Sequence, residues 1–143
     1  MHMLDESTIE RVALAMLDLS LPKSEWTHAG HLAAALWLCR HRHDLTAADA
    51  MRTLICRYND AIGTANTDTG GYHHTITVAS MRAVADCLAR HSDDAPLDVV
   101  HAALVASRYG HTEWLLAYWR RETLYSVAAR RNWVEPDLAP LPF

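Results

Sequence analysis

Apolar residues recur every three or four positions in five long stretches of the chain, and this spacing constrains the fold most. The regular stripe in the third stretch places one apolar face on a helix; it comprises Ala47, Ala50, Met51, Leu54, Ile55, Tyr58 and Ile62. No stretch alternates apolar and polar residues as a half-buried strand does. The chain has 143 residues, which is enough for one core. The sequence therefore predicts one all-α domain over 1–143, an antiparallel bundle of five to seven helices.

The first three predicted helices have local signals at their ends. Ser7, with Glu10 three residues later, is typical of a capping box for the first helix. The second helix is predicted to open near Thr27 and, because it has little polar surface, to be the most buried. The third is predicted to start after Thr46 and to end at Gly63.

The later helices are predicted from weaker signals. The fourth and fifth are expected over about 72–91 and 94–110, a sixth after His111, and a short seventh after Ser126. Three prolines among the last residues exclude a helix there. We therefore expect residues 133–143 to form an extended tail.

Composition points to an ordinary globular protein. The formal net charge is -4 and half the residues are apolar, with no run long enough to span a membrane and no signal peptide. The three cysteines, Cys39, Cys56 and Cys87, lie far apart in apolar patterns, which fits small core residues in a reducing compartment. We expect a cytoplasmic protein that does not bind a membrane.

Arginines are concentrated late in the chain, and their role has two interpretations. The acidic net charge argues against a nucleic-acid partner. A solvated face is the simpler interpretation of the cluster, and a pocket for an anionic ligand is the alternative. The cluster comprises Arg108, Arg120, Arg121, Arg130 and Arg131.

Ten histidines make imidazole the most conspicuous chemical group. His28 and His31 lie three residues apart in the first turn of the second helix, so they share one face. If the fourth helix extends back through Tyr72, His73 points inward and His74 outward. His28, His31 and His73 would then converge as ligands of one divalent ion such as zinc, iron or nickel, with an open position for water or substrate.

Other side chains near these histidines are candidates to line a pocket, although each has an ordinary structural alternative. His101 is expected to be a hydrogen-bonded core residue, whereas His2, His41, His43 and His91 are expected at the surface. The candidate pocket residues are Trp26, Tyr58, Asn59, Tyr72, His74, Thr75, Thr77 and Glu113.

Three motifs in this order resemble those of a family of short bacterial proteins of unknown function. They are W-T-H-x-x-H-L at 26–32, Y-H-x-T-x-T at 72–77 and A-R-x-x-W-x-E-P-D-L at 129–138. The resemblance spans most of the chain and implies no established activity. In the family pattern a glutamate often follows the middle histidine, whereas this chain has His74, so a carboxylate role is not expected there.

Two functions are compatible with these observations. The first is a metalloprotein that catalyses hydrolysis or oxidation of a small molecule at the three histidines. The second is a metal-free module that binds a small acid or phosphate, or an accessory protein whose five tryptophans support homo-oligomerisation.

Overall fold

The chain folds entirely into helices and connecting segments in a computed structural model that describes residues 4–143. The all-α prediction is confirmed: this part of the chain contains seven α-helices and no strand. None of these helices combines the length and apolarity needed to cross a membrane. The helices are α1 (Glu6–Leu17), α2 (His28–His41), α3 (Ala48–Ala61), α4 (His74–Ala89), α5 (Leu97–Ala106), α6 (Arg121–Leu124) and α7 (Val127–Arg131).

Helix α2 lies at the centre of the fold, as its sequence predicts. Every residue from Leu32 to Leu38 is buried, because α1, α4 and α5 all pack against this helix. Removing each leucine side chain from water contributes about 1.5–3 kcal/mol. The first turn of α2 carries His28 and His31 and is less buried than the middle of the helix.

The helix starts differ in detail from the sequence predictions. Asp5, rather than Ser7, caps α1 by accepting from the Thr8 amide at 2.8 Å. The Ser7 hydroxyl instead donates to the same carboxylate, so the predicted capping box is wrong. Thr27 caps α2 as predicted, with its hydroxyl 3.1 Å from the Gly30 amide.

Besides the core around α2, a second apolar cluster forms where Trp114, Trp119 and Leu124 of the C-terminal part pack on α4. The segment after His111 is not the predicted α-helix but contains a short 3₁₀ turn, Trp114–Ala117. Residues 133–143 contain neither helix nor strand. They are held by side-chain and backbone hydrogen bonds: the Trp119 indole donates to the Val134 carbonyl at 2.9 Å, and the Leu138 amide donates to the Tyr118 carbonyl at 2.9 Å.

The chain before α2 turns back so closely that only glycine fits at Gly30. A Cβ atom there would lie 2.5 Å from the backbone oxygen of Glu25. This contact fixes the segment that carries Trp26 against the first turn of α2. The absence of a side chain at Gly30 is therefore part of what positions the N-terminal end of the helix.

We expect Gly30→Ala to lower the free energy of unfolding by about 1–3 kcal/mol, because backbone has to move to relieve the overlap. Gly70→Ala is the matched control, since a Cβ there would meet only the Thr67 hydroxyl at 3.8 Å. Chemical denaturation of the two variants measures the difference. Equal stabilities would contradict the close approach at Gly30.

Candidate functional site

A cavity of about 670 Å³ opens between the starts of α2 and α4, the end of α3 and the C-terminal segment. Most of its wall is apolar and includes Leu32 of α2, Ile55 of α3 and Met81 of α4. All three motif segments contribute to it, through Trp26, His28 and His31, through Tyr72, His73 and Thr77, and through Arg130.

His28 anchors the first turn of α2 to a distant loop. Its Nε2 donates to the backbone oxygen of Tyr109 at 2.8 Å. Because this bond requires the proton on Nε2, Nδ1 of the neutral ring is an acceptor. No hydrogen bond to Nδ1 is formed within residues 4–143.

His31 is the imidazole most available to a ligand. Its ring contacts Trp26 with centroids 4.1 Å apart, and neither ring nitrogen is hydrogen-bonded within the described part of the chain. Solvent reaches the ring from the cavity. The surrounding protein nevertheless lowers its pKa from 6.5 to about 4 through loss of hydration, with a smaller contribution from nearby His28. His31 is therefore neutral at physiological pH.

His73 lies at the cavity, but both of its ring nitrogens are already hydrogen-bonded. Nδ1 accepts from the Ile76 amide at 3.1 Å, which makes His73 the N-cap of α4. Nε2 donates to the backbone oxygen of Leu124 at 2.6 Å. Burial is the main reason that the pKa of His73 is lowered. In this arrangement the ring connects α4 to α6 and has no lone pair for a metal.

The three histidines predicted as metal ligands thus line one cavity but differ in their free nitrogens. Within residues 4–143 no group of three or more His, Cys, Asp or Glu side chains is arranged to hold a metal ion. His28 and His31 retain unpartnered nitrogens, whereas His73 does not. A three-histidine metal site stays a prediction, and it requires His73 to exchange one of its hydrogen bonds.

Helix α4 begins two residues later than predicted, which changes the orientation of His74. We expected this side chain to point outward; instead it is 8% exposed, and its Nδ1 shares a hydrogen bond of 2.8 Å with the Tyr72 hydroxyl. His73, as the cap, lies outside the helix, so helical angles do not apply to it. His74 is not among the residues that line the cavity.

Four of the candidate pocket residues, Trp26, Asn59, Tyr72 and Thr77, line the cavity. The other candidates besides His74 have partners elsewhere. The hydroxyl of buried Tyr58 donates to the Leu21 carbonyl at 2.8 Å. Thr75 donates to the Asn132 carbonyl at 2.8 Å.

Glu113 is exposed, 3.9 Å from Arg121, and is not part of the wall. Among the remaining histidines, His101 is buried and donates to the Ala29 carbonyl at 2.9 Å, as predicted for a core residue. His41 and His43 are exposed and His91 is partly buried. His2 lies outside the described residues.

The most consequential cavity residue that sequence reasoning missed is Arg130. Its Nη1 donates to the carbonyls of Gly71 and Tyr72 at 3.2 and 3.3 Å. The arginine cluster was the available signal, but the pattern alone did not distinguish Arg130 from its exposed neighbours. Arg131, the next residue, lies at the surface and pairs with Asp68 at 2.6 Å.

Comparisons with known proteins add no analogy for this cavity. No protein-family model matches the chain, and neither a curated protein nor a solved structure matches it significantly.

We expect stability to fall as pH decreases from about 6.5 to 4, because His31 binds its proton later in the folded protein than in the unfolded one. The lowered pKa values of His73, His74 and His101 act in the same direction. Urea unfolding at pH 7, 5.5 and 4.5 measures the loss. His31→Gln should make it shallower, whereas His111→Gln, at an exposed position, should not. A His31 pKa near 6.5 by NMR would contradict this assignment.

Proposed function

We propose that this protein binds a small organic molecule in the cavity between α2, α3, α4 and the C-terminal segment. The observation that carries the proposal is the convergence of three sequence-distant segments on one recess. Its volume of about 670 Å³ lies within the range of about 300–1,000 Å³ found for ligand pockets.

The chemistry of the wall supports binding of a molecule with an apolar body. Trp26, Met51, Met81 and Trp114 offer aromatic and thioether surfaces, which adapt to ligands of different shape. Few polar groups interrupt this surface, and His31 is the one imidazole among them with both nitrogens free. Binding sites commonly combine such an apolar wall with a few orienting polar groups.

We place this binding protein in the cytoplasm, where thiols stay reduced. Cys39, Cys56 and Cys87 are all free, which supports that setting. Homo-oligomerisation through the aromatic C-terminal part stays a prediction. An enzymatic step is not part of the proposal.

The neutral fluorophore N-phenyl-1-naphthylamine is a suitable probe, because its emission rises in apolar surroundings. We expect saturable binding to the wild-type protein, and Ser80→Phe to weaken it tenfold or more by filling the cavity, since Ser80 belongs to the wall. Ala103→Phe adds a similar bulk at an exposed position of α5 and should leave the affinity unchanged. Binding that is absent, or equal in both variants, would refute the proposal.

A divalent ion held by His28 and His31 is a second candidate function. Its support is the pair of neighbouring imidazoles with unpartnered nitrogens on the first turn of α2. Two histidines leave coordination positions for water or a ligand. Binding of the neutral fluorophore does not depend on such an ion.

Zinc chloride should raise the melting temperature of untagged protein if this second function is correct, because an ion that binds the folded state stabilises it. His31→Gln should abolish the rise, whereas His41→Gln, at an exposed position, should not. If the fluorophore still binds in the presence of EDTA and zinc does not raise the melting temperature, the metal-binding function is wrong and only the metal-free function remains.

A further inference from the structure

The lysine and arginine side chains that line the cavity are positively charged, and no acidic side chain lies among them in the part of the chain that the structure describes. These two cations are Lys23 and Arg130. The chain as a whole carries a formal charge of -4, so the charge of the cavity wall is opposite in sign to the net charge of the molecule. Glu25, next to Trp26, forms an ion pair with Arg11 at 2.7 Å.

Arg130 is the cation whose position is hardest to explain without a ligand. Its two hydrogen bonds to backbone oxygens are long, and its Nε is buried with no acceptor in the described part of the chain. No carboxylate there lies within ion-pair distance of it, because Asp68 pairs with adjacent Arg131 at 2.6 Å and interacts with Arg130 only from further away. A partly buried guanidinium without a counter-ion is unfavourable, and an anion in the cavity would compensate it.

A second unpartnered polar atom belongs to the same wall. Three buried side-chain polar atoms lack a hydrogen-bond partner within residues 4–143, in Thr64, Asp98 and Arg130. Two of these residues, Thr64 and Arg130, line the cavity. Both unpartnered atoms are out of contact with solvent, so a molecule in the cavity would reach Arg130 through its terminal guanidinium nitrogens rather than through Nε.

At each helix start that borders the cavity, a side chain already occupies one backbone amide. Thr27 occupies the Gly30 amide at the start of α2, and His73 occupies the Ile76 amide at the start of α4. The side chain of Arg130 is a cationic group in the cavity wall, and its planar set of donors suits an oxyanion.

We propose that the natural ligand is an organic monoanion, with an apolar body against Trp26 and Trp114 and one acidic group at Arg130. This inference rests on the proposed binding function and specifies its ligand class. The mostly apolar wall favours an organic acid over inorganic phosphate, which would leave that surface uncovered.

The test compares two fluorophores that differ by one acidic group, 8-anilinonaphthalene-1-sulfonate and neutral N-phenyl-1-naphthylamine. We expect the wild-type protein to bind the sulfonate at least tenfold more tightly than the neutral probe. Because salt screens an ionic contact, 0.5 M NaCl should reduce this preference about threefold or more. Competition between the two probes, and the loss of both in Ser80→Phe, would place them in one cavity.

Arg130→Gln should remove the preference for the sulfonate while changing the affinity for the neutral probe less than twofold. Arg131→Gln removes an adjacent positive charge outside the cavity and should preserve the preference. If Arg130→Gln does not unfold cooperatively, Arg130→Lys, which keeps the charge, should retain part of the preference.

The two proposals fail in different ways. If the neutral probe binds and the sulfonate binds no more tightly, the anion inference is wrong while the binding function stands. If inorganic phosphate at 10 mM displaces the sulfonate but not the neutral probe, the site takes a simple oxyanion and the organic-acid inference is wrong. If neither probe responds to Ser80→Phe, the cavity is not a binding site.

Discussion

Burial of the middle of helix α2, residues 32–38, on all its sides is the constraint on which the rest of the structure depends. The first backbone N–H groups of such a helix have no partner within the helix, and each one that is buried and left unsatisfied would cost about 1–3 kcal/mol. Thr27 satisfies one of these groups by accepting from the Gly30 amide, and His101 of α5 ties the same turn to the core by donating to the Ala29 carbonyl. The same turn carries His28 and His31, so satisfying the helix end also builds one wall of the cavity.

Histidine serves in this protein mainly as a connector between distant parts of the chain. His28, His73 and His101 each donate from Nε2 to a backbone carbonyl, at sequence separations of 81, 51 and 72 residues. A neutral imidazole suits this role, because its N–H satisfies a carbonyl without burying a charge. His31 makes no such bond, which leaves its imidazole accessible in the cavity.

Spacing placed His28 and His31 together in the first turn of α2, and the structure has both of them, with His73, in the wall of one cavity. Spacing did not indicate that His73 would have both nitrogens occupied, because its partner carbonyl belongs to Leu124. The orientation predicted for His74 was wrong since it assumed a helix extending through Tyr72, whereas His73 caps the helix. Arg130 was missed because its packing on Gly71 and Tyr72 joins segments nearly sixty residues apart.

The sequence by itself determined the all-α class, the central burial of α2 and several helix ends, including the Thr27 cap. These features follow from periodicity and from side chains within a few residues of the backbone they bond. Only the tertiary structure decided where the cavity lies, which imidazole nitrogens remain free and which arginine belongs to the cavity wall. Each of these features depends on groups contributed by segments that are remote in the sequence, and local spacing carries no information about such partners.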